Sequence, residues 1–252
     1  MIVQYYSDLH LEFPKNKAFL KENPIPIKGD ILILAGDIVP IVVLEEHDDF
    51  WDFLSNNFQY VYWVPGNHEF YYGNISACSG PCNKKIRDNI MLVNNTTVAL
   101  NGVRFIFSTL WTAISPANQL MIQYQMPDFK VITDGEDILT PEGYNRLHAE
   151  CLRFLTGELA KTNNGKTVVV THHVPTYTGY PERYKGDILN EAFAVELKHL
   201  LEASSVDYWI FGHHHQNTCR LNIGQTQLLS SQLGYVHYNE HLDFNNDSWF
   251  EV

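Results

Sequence analysis

Length, composition and charge exclude several classes of protein. The chain has 252 residues, 45% of them hydrophobic and 13% aromatic, which fits one large α/β domain with a substantial core and excludes a disordered chain. Its formal net charge of −12 argues against tight nucleic-acid binding, because such proteins usually present a basic face. Bound divalent cations would offset part of that charge locally, so an anionic substrate remains compatible with the composition.

The start of the chain and its cysteines favour a cytoplasmic protein. Residues 1–6 run directly into a predicted strand, without the basic start or cleavage site of a signal peptide, and no apolar run reaches the roughly 18 residues of a membrane span. Cys78 and Cys82 flank Ser-Gly-Pro and could form a disulfide or bind metal, although no second close pair completes a zinc site. We expect these two cysteines, like Cys151 and Cys219, to be free thiols in a reducing compartment.

The first third of the chain predicts three buried strands, each followed by polar residues. Apolar runs rich in aromatic and β-branched residues predict strands at residues 2–6, 31–34 and 60–64, and a helix is predicted over residues 44–57. Loops that leave strand ends are where α/β proteins place their chemistry. The polar groups at these ends are Ser7-Asp8-Leu9-His10, Gly36-Asp37 and, after Pro65, Gly66-Asn67-His68-Glu69.

The middle of the chain predicts a change in strand pairing. Residues 72–89 contain Gly, Ser, Cys and Pro and are typical of an irregular loop. The pair Asn101-Gly102 is a strong signal for a type I′ turn, so we predict an antiparallel hairpin of residues 97–100 and 103–107.

The stretch of residues 111–140 has mixed composition and weak periodicity. We predict that it is a long excursion with a short helix near residues 118–125. Residues 112–140 are then a candidate lid within a single domain of residues 1–252. No internal repeat or linker divides the chain.

The second half alternates helices and strands. Thr140-Pro141 combines a capping hydroxyl with proline in the first turn, and the helix that it starts should end near Asn163-Asn164-Gly165. Its predicted apolar face consists of Tyr144, Leu147, Cys151, Leu155 and Leu159. The remaining predictions are strands at residues 167–171 and 208–211, a helix over residues 190–204, and short antiparallel strands in residues 219–252 that turn near Gly224. The two strands end in His172-His173 and in Gly212-His213-His214-His215.

Five strand ends therefore carry possible metal ligands. Alternate residues of an extended segment point the same way, so Asp8 with His10, and His213 with His215, can each face one site. Imidazole and carboxylate donors suit Mn, Fe or Zn better than calcium. The seven donors exceed what one ion takes from protein while keeping an open position, whereas two ions that share a carboxylate would use them all.

In chain order, the motifs are Asp-x-His, Gly-Asp, Gly-Asn-His-Glu, Thr-His-His and Gly-His-x-His. This ordered set of motifs resembles the calcineurin-like metallophosphoesterase superfamily. The resemblance spans residues 8–215, and the ordered set is far more specific than any one motif. It implies an α/β fold, a four-layer αββα sandwich with mixed β-sheets, whose dinuclear metal site lies at the strand C-termini.

The same resemblance implies a role for each motif residue. Asp37 would bridge two divalent ions, with Mn favoured over Fe or Zn. His68 would orient the phosphate and protonate the leaving oxygen, so His68 and Asn67 are the predicted catalytic residues. The remaining ligands form two sets: Asp8, His10 and His215 for one ion, and Asn67, His172 and His213 for the other. Two dications about 3.5–4 Å apart would lower the pKa of a bridging water, so that a hydroxide attacks phosphorus.

The predicted function is metal-dependent hydrolysis of a small phosphodiester or phosphomonoester, nucleotide-like in character. The alternatives are a phosphoprotein phosphatase or a nuclease of the same superfamily, and a non-catalytic scaffold with this fold. Tyr71, Tyr177 and Arg183 are candidates for substrate binding, although packing at the rim explains the tyrosines as well, and a solvated charge explains Arg183 better. Glu69 is expected to support the site and not to bind metal, because it lies one residue beyond His68.

Overall fold

The computed structural model describes residues 1–217 and 221–252, which form two large β-sheets and flanking helices. The strands are β1 Ile2–Tyr6, β2 Ile31–Ala35, β3 Tyr60–Val64, β4 Cys82–Arg87, β5 Ile90–Asn94, β6 Thr96–Leu100, β7 Val103–Ser108, β8 Thr133–Asp134, β9 Asp137–Ile138, β10 Thr167–Thr171, β11 Tyr208–Ile210, β12 Leu221–Ile223, β13 Thr226–Leu229 and β14 Trp249–Glu251. The α-helices are α1 Pro14–Glu22, α2 Asp48–Asn57, α3 Gln119–Gln125, α4 Asp128–Val131, α5 Pro141–Leu159, α6 Asn190–Phe193 and α7 Lys198–Ala203.

Both six-stranded sheets have parallel centres and antiparallel edges. The first has the order β14-β1-β2-β3-β5-β4, and the second has the order β12-β13-β11-β10-β7-β6. Strands β1, β2, β3 and β5 are parallel, as are β13, β11, β10 and β7. The carboxyl ends of β1, β2 and β3 therefore meet at one edge of the first sheet, and those of β10 and β11 meet at one edge of the second.

Alternating apolar side chains hold the two sheets face to face. On β2, Ile31 and Ile33 pack into the core between the sheets, where they share a cluster with Phe105 of β7. Leu32 faces the opposite side and packs in a cluster with Trp51 of α2. The outer face of the second sheet is covered by α5 and α7 in a third cluster. Four layers result, and the predicted αββα sandwich with mixed sheets is confirmed.

Several predicted elements are confirmed at close to their expected bounds. They include the first three strands, the strands β10 and β11, the hairpin of β6 and β7, and α3 within the excursion. Helix α5 begins at Pro141 with the predicted cap, since the Gly143 amide donates to Thr140 Oγ1 at 3.2 Å. It ends at Leu159, a few residues before the predicted stop.

The loop predicted over residues 72–89 is wrong in part. Its second half forms β4, which pairs with β5, a strand that the sequence analysis also missed. Strand β4 lies at the edge of its sheet and exposes Asn83, Lys84 and Lys85, so it lacks the apolar run that marks a central strand. The hairpin of β6 and β7 lies in the second sheet, because the chain crosses between the sheets after β5.

The two helices predicted over residues 44–57 and 190–204 are both interrupted. A 3-10 helix, Ile41–His47, precedes α2, which starts only at Asp48. The second predicted helix is divided into α6 and α7, because the backbone between them pairs with Val174. The Val174 amide donates to the Phe193 carbonyl at 3.2 Å, and the Val174 carbonyl accepts from the Val195 amide at 3.0 Å. A tertiary backbone contact thus overrides a helical pattern.

The predicted turn near Gly224 is confirmed between β12 and β13, whereas Cys219 lies outside the described residues. Strand β14 then returns to pair with β1 in the first sheet. None of the helices in the described part of the chain combines the length and hydropathy that a membrane crossing needs.

The expectation of free thiols is wrong for one pair of cysteines. Cys78 and Cys82 form a disulfide, whereas Cys151 is a buried free thiol. The cysteine argument for a cytoplasmic location therefore loses its support.

Candidate active site

The predicted ligand residues follow five strand ends, and most of them have unusual backbone geometry. Asp8, His10, Asp37, His213 and His215 have φ values of 55°, 48°, 55°, 82° and 51°. Residues other than glycine rarely adopt this left-handed region, and surrounding structure must hold them in it. Backbone strain is thus concentrated where the strand ends of the two sheets meet, and the extended backbone predicted for Asp8 with His10 and for His213 with His215 is wrong.

Glycines in the motifs allow the strand-end loops to approach one another. A Cβ atom at Gly36 would collide with the His172 ring, and one at Gly66 would collide with both Asp37 and His172. At Gly212 it would collide with Asp8. The glycines of Gly-Asp, Gly-Asn and Gly-His are therefore required for the close packing of the candidate ligands.

The structure brings four candidate ligands into a first cluster, which we call pocket A: Asp8, His10, Asp37 and His215. Its imidazole nitrogens His10 Nε2 and His215 Nε2 are 3.0 Å apart. His215 Nε2 lies 3.3 Å from Asp8 Oδ1, and His10 Nε2 lies 3.9 Å from Asp37 Oδ2. Each nitrogen thus faces a carboxylate oxygen across a gap that suits a cation.

A second cluster, pocket B, shares Asp37 with the first and contains His172 and His213. His172 Nε2 lies 3.4 Å from Asp37 Oδ2 and 3.0 Å from His213 Nδ1. Asn67 lines the same cavity as Asp37 and His213, and its Oδ1 is buried with no hydrogen-bond partner among the described residues. A buried carbonyl oxygen without a donor is costly unless a cation or water satisfies it.

The electrostatics of both pockets favour bound cations. Burial alone would raise the pKa of the Asp37 carboxyl, but the imidazoles of His172 and His68 hold it well below its usual range. Burial opposes charge on His172 and His215 too, yet neighbouring carboxylates raise the pKa of His172 to about 9 and that of His215 to about 10. The same negative field would stabilise divalent ions held by these carboxylates and imidazoles. The donor set therefore fits two ions that share Asp37.

Outer contacts orient the imidazoles of the two pockets differently. In pocket A, His10 Nδ1 lies 3.1 Å from Glu12 Oε1, and His215 Nδ1 lies 2.7 Å from Glu240 Oε2. In pocket B, His172 Nδ1 lies 2.9 Å from the Ala35 carbonyl oxygen. Such partners fix which nitrogen faces the metal.

Burial and the neighbouring imidazoles of His173 and His172 lower the pKa of His213 well below its usual value, which keeps it a neutral ligand. The sequence analysis missed both Glu12 and Glu240. The position of Glu12, two residues after His10, was its only signal.

Glu69 holds two loops of the site together through hydrogen bonds, as expected. Its two carboxylate oxygens accept from the amides of Asp37, Ile38 and Gly66 and from the Trp63 indole, at 2.5–3.0 Å. One buried carboxylate thereby ties the loop after β2 to the loop after β3.

His68 lies beside the two pockets with both ring nitrogens engaged. Nδ1 is 2.9 Å from Glu12 Oε1, and Nε2 is 3.1 Å from the Tyr235 hydroxyl. Its ring stacks on Tyr71, with centroids 4.0 Å apart. Burial opposes protonation, but the carboxylates of Asp37 and Glu12 raise the pKa of His68 above its usual value.

The second histidine of each doubled pair points elsewhere. His173 lies with Nδ1 3.1 Å from the Thr109 carbonyl oxygen and Nε2 3.2 Å from the Tyr144 hydroxyl. Burial and the charge of His172 lower the pKa of His173 to about 3. His214 Nδ1 lies 3.0 Å from the amide nitrogen of Gln232. The structure thus joins His172, His213 and His215 to the site and gives their neighbours hydrogen-bond partners outside it.

A cavity of about 230 Å³ opens over the two pockets. Besides candidate ligands and His68, its wall contains Tyr71, Met126, Pro127, Tyr184, Phe193, His214, Tyr235 and Glu240. None of the described residues that line it is a lysine or an arginine. Of these eight wall residues, the sequence analysis had proposed only Tyr71 as a substrate contact.

Two predicted substrate contacts lie away from this cavity. The Tyr177 hydroxyl donates to the backbone carbonyls of Asn190 at 3.1 Å and Ala194 at 3.0 Å, so it braces the loop that contains it. Arg183 is exposed and lies over the Tyr184 ring, 4.6 Å from its centroid. The structure does not bring either side chain to the candidate ligands.

Comparison with known proteins agrees with this geometry. The family model of the calcineurin-like phosphoesterases matches residues 5–217, so the chain belongs to that family. The two pockets supply His and Asp side chains that fit the pair of divalent metal ions expected for this family.

Among curated proteins, the chain is similar to "Uncharacterized protein L509" of Acanthamoeba polyphaga mimivirus, with 28% identity over 279 residues, 100% of this chain and 96% of the relative. The solved phosphopantetheinyl hydrolase PptH of Mycobacterium tuberculosis is 18% identical, with a TM-score of 0.64 over 93% of this chain and 90% of its own. A dimetal phosphatase from Danio rerio is 13% identical, with a TM-score of 0.45 over 92% of this chain and 87% of its own. At 18% identity, the likeness to PptH shows the fold alone.

Proposed function

We propose that the protein is a metal-dependent phosphoester hydrolase whose substrate is a small phosphodiester or phosphomonoester. One observation carries the proposal: two clusters of buried donors share Asp37 and open into the same cavity as His68. In this proposal Asp8, His10 and His215 hold one ion, and Asn67, His172 and His213 hold the other. Mn²⁺ is the favoured ion, since both pockets combine imidazole with carboxylate or carbonyl oxygen.

Two divalent ions held there would supply an activated water and draw charge from the phosphoryl oxygens, as two-metal sites do. His68 acts from the cavity side. Glu12 accepts from Nδ1 and holds the ring, and Nε2 lies 3.1 Å from the hydroxyl of Tyr235, which lines the same cavity. From Nε2 the imidazole donates to the leaving oxygen and transfers its proton there as the bond to phosphorus breaks. The Glu12 carboxylate against Nδ1 supports this role, because it stabilises the protonated imidazole that the proton transfer needs.

The wall of the cavity supports a small and uncharged leaving group. About 230 Å³ has room for a nucleotide-sized fragment and little more, by comparison with the 300–1,000 Å³ typical of drug-sized sites. Tyr71, Tyr184, Phe193 and Tyr235 offer aromatic surface against which a planar group could pack. The absence of lysine and arginine among the described lining residues disfavours a polyphosphate chain.

We further propose that residues 1–252 work as one domain, in which the 112–140 excursion is a wall of the site. The cavity size and the net charge of −12 weigh against the two macromolecular alternatives, a phosphoprotein and a nucleic acid.

The test is a substrate panel with added Mn²⁺. It contains p-nitrophenyl phosphate, its bis-ester, a nucleotide diester, a phosphopantetheinyl ester suggested by the name of the mycobacterial relative, and phosphopeptides. We expect hydrolysis of a small ester by the wild type and its loss in Asp37→Asn, because both ions depend on this carboxylate. Asp30→Asn is the matched control, since Asp30 is exposed at the opposite end of β2.

Hydrolysis of phosphopeptides far above that of small esters would overturn the proposed substrate class. Failure of the wild type to cleave any ester in the presence of Mn²⁺ would overturn the enzymatic proposal itself.

A further inference from the structure

The excursion contributes a buried carboxylate to the candidate site. Asp128, the first residue of α4, is fully buried. Its Oδ1 accepts from Asn67 Nδ2 at 3.0 Å and from the Tyr71 hydroxyl at 2.8 Å. Its Oδ2 is also buried and has no hydrogen-bond partner in the described part of the chain. Nothing in the sequence motifs marks this residue.

The contact with Asp128 decides which way the Asn67 amide faces. A primary amide has a donor end and an acceptor end on opposite sides of one carbon atom. Asp128 Oδ1 can accept whether or not the carboxyl is protonated on Oδ2, so the NH₂ group of Asn67 turns towards it. The carbonyl Oδ1 then turns away and is left without a partner among residues 1–217 and 221–252. In the reversed orientation, Asn67 would present NH₂ to pocket B, and NH₂ cannot bind a cation.

The backbone holds the carboxylate in a defined place relative to Asn67. The segment after His68 is joined to the end of α4, since the Tyr72 amide donates to the Val131 carbonyl at 2.9 Å and the Thr133 amide donates to the Gly73 carbonyl at 3.0 Å. Phe129, next to Asp128, is buried and packs near the Tyr144 ring of α5. The excursion is therefore packed against the Gly-Asn-His-Glu loop at this point.

We propose that Asp128 is a positioning residue that fixes the amide orientation of Asn67 and so completes pocket B from the excursion. This inference rests on the two-ion site of the proposed function, and it adds a residue that orients one of the ligands of that site. Pocket A, whose ligands include no amide, does not need it.

The test is a calorimetric titration of the metal-free protein with Mn²⁺ for Asp128→Leu, which replaces the acceptor with a branched apolar side chain that is somewhat larger than aspartate. We expect the affinity for one of the two ions to fall by about 10–100-fold, the loss typical of a partner that orients a metal ligand, while the other affinity is unchanged. Asp128→Asn should retain both affinities, because its carboxamide oxygen can still accept. Asp137→Leu is the matched control, as Asp137 is an exposed acid of the same excursion.

Asp128→Val provides a second variant in case the leucine disrupts folding, since valine is smaller than leucine and likewise has no acceptor. A purely structural role also predicts a defect that metal does not correct, whereas our inference predicts that a higher Mn²⁺ concentration restores hydrolysis. Wild-type affinities for both ions in the leucine or the valine variant would overturn the inference. Two bound ions without hydrolysis in the wild type would overturn the proposed function and leave the positioning role of Asp128 supported or refuted by the titration alone.

Discussion

Pockets A and B share Asp37 and lie where the carboxyl-end edges of the two sheets come together, yet their surroundings differ in charge. Both candidate histidine ligands of pocket A have a carboxylate behind them, Glu12 for His10 and Glu240 for His215. In pocket B, the group behind His172 is the Ala35 carbonyl, and the amide ligand is neutral.

An imidazole whose second nitrogen donates to a carboxylate is a more basic ligand. Pocket A also contains a second carboxylate, Asp8, where pocket B has an amide. Two ions that share one carboxylate therefore need not be held equally. We expect pocket A to retain its ion more tightly and pocket B to exchange its ion first.

His68 is predicted to act in catalysis without binding either ion, so its removal separates turnover from metal affinity. His68→Ala should keep both Mn²⁺ affinities and lower turnover of an ester with a poor leaving group by roughly 10²–10⁴-fold, as expected for a lost general acid. An activated ester such as p-nitrophenyl phosphate should lose less, because its leaving oxygen needs less protonation.

The measurement compares kcat for the two esters and pairs it with the Mn²⁺ titration. If His68→Ala released an ion, the division of the site into pockets A and B would be wrong. If both esters kept full activity, the acid role would be refuted.

The carboxylate of Glu240 contacts the pocket A histidine His215 and also accepts from the Tyr235 backbone amide, an interaction that a glutamine oxygen can keep. Glu240→Gln should weaken the tighter Mn²⁺ site by about 10–100-fold and leave the weaker site unchanged, since the amide cannot polarise the imidazole as a carboxylate does. The check is a calorimetric titration that resolves both ions. Glu251→Gln, an exposed acid on β14, is the matched control. A loss confined to the weaker site would reverse the assignment.

Tyr235 should give the smallest effect. Its ring packs beside His10 and His215, with centroids 4.6 and 4.5 Å away, and its hydroxyl contacts His68 Nε2. Tyr235→Phe keeps the ring and removes one neutral hydrogen bond, a contribution of about 0.5–1.5 kcal/mol, so turnover should fall about 2–13-fold while both ion affinities stay the same. Steady-state kinetics with a fixed Mn²⁺ excess would measure this. A loss as large as that of His68→Ala would instead make the hydroxyl an essential group.

The part of the site that local sequence determines is the ring of donors at the strand ends. Strands β1, β2, β3, β10 and β11 are short apolar runs with clear stops, and parallel pairing brings the carboxyl ends of the first three to one edge of the first sheet and those of the last two to one edge of the second. Residues that follow strands of the same sheet, such as Asp8 and Asp37, must then lie together, whereas the approach of His172 to Asp37 depends on how the two sheets pack and was predicted from the family resemblance. The fold followed from the same runs and from the family resemblance.

Tertiary structure alone decided which residues surround the candidate ligands. Glu240 and Asp128 reach the site from the tail and the excursion, segments whose weak periodicity gives no indication of where they pack. The break between α6 and α7 likewise depends on a backbone contact with Val174, and the Cys78–Cys82 disulfide joins residues whose spacing also allowed free thiols. Each of these contacts forms only when the completed fold places one segment of the chain against another. A strand end carries its chemistry in its own few residues, whereas a supporting carboxylate acquires its role only from the histidine or amide that the completed fold places against it.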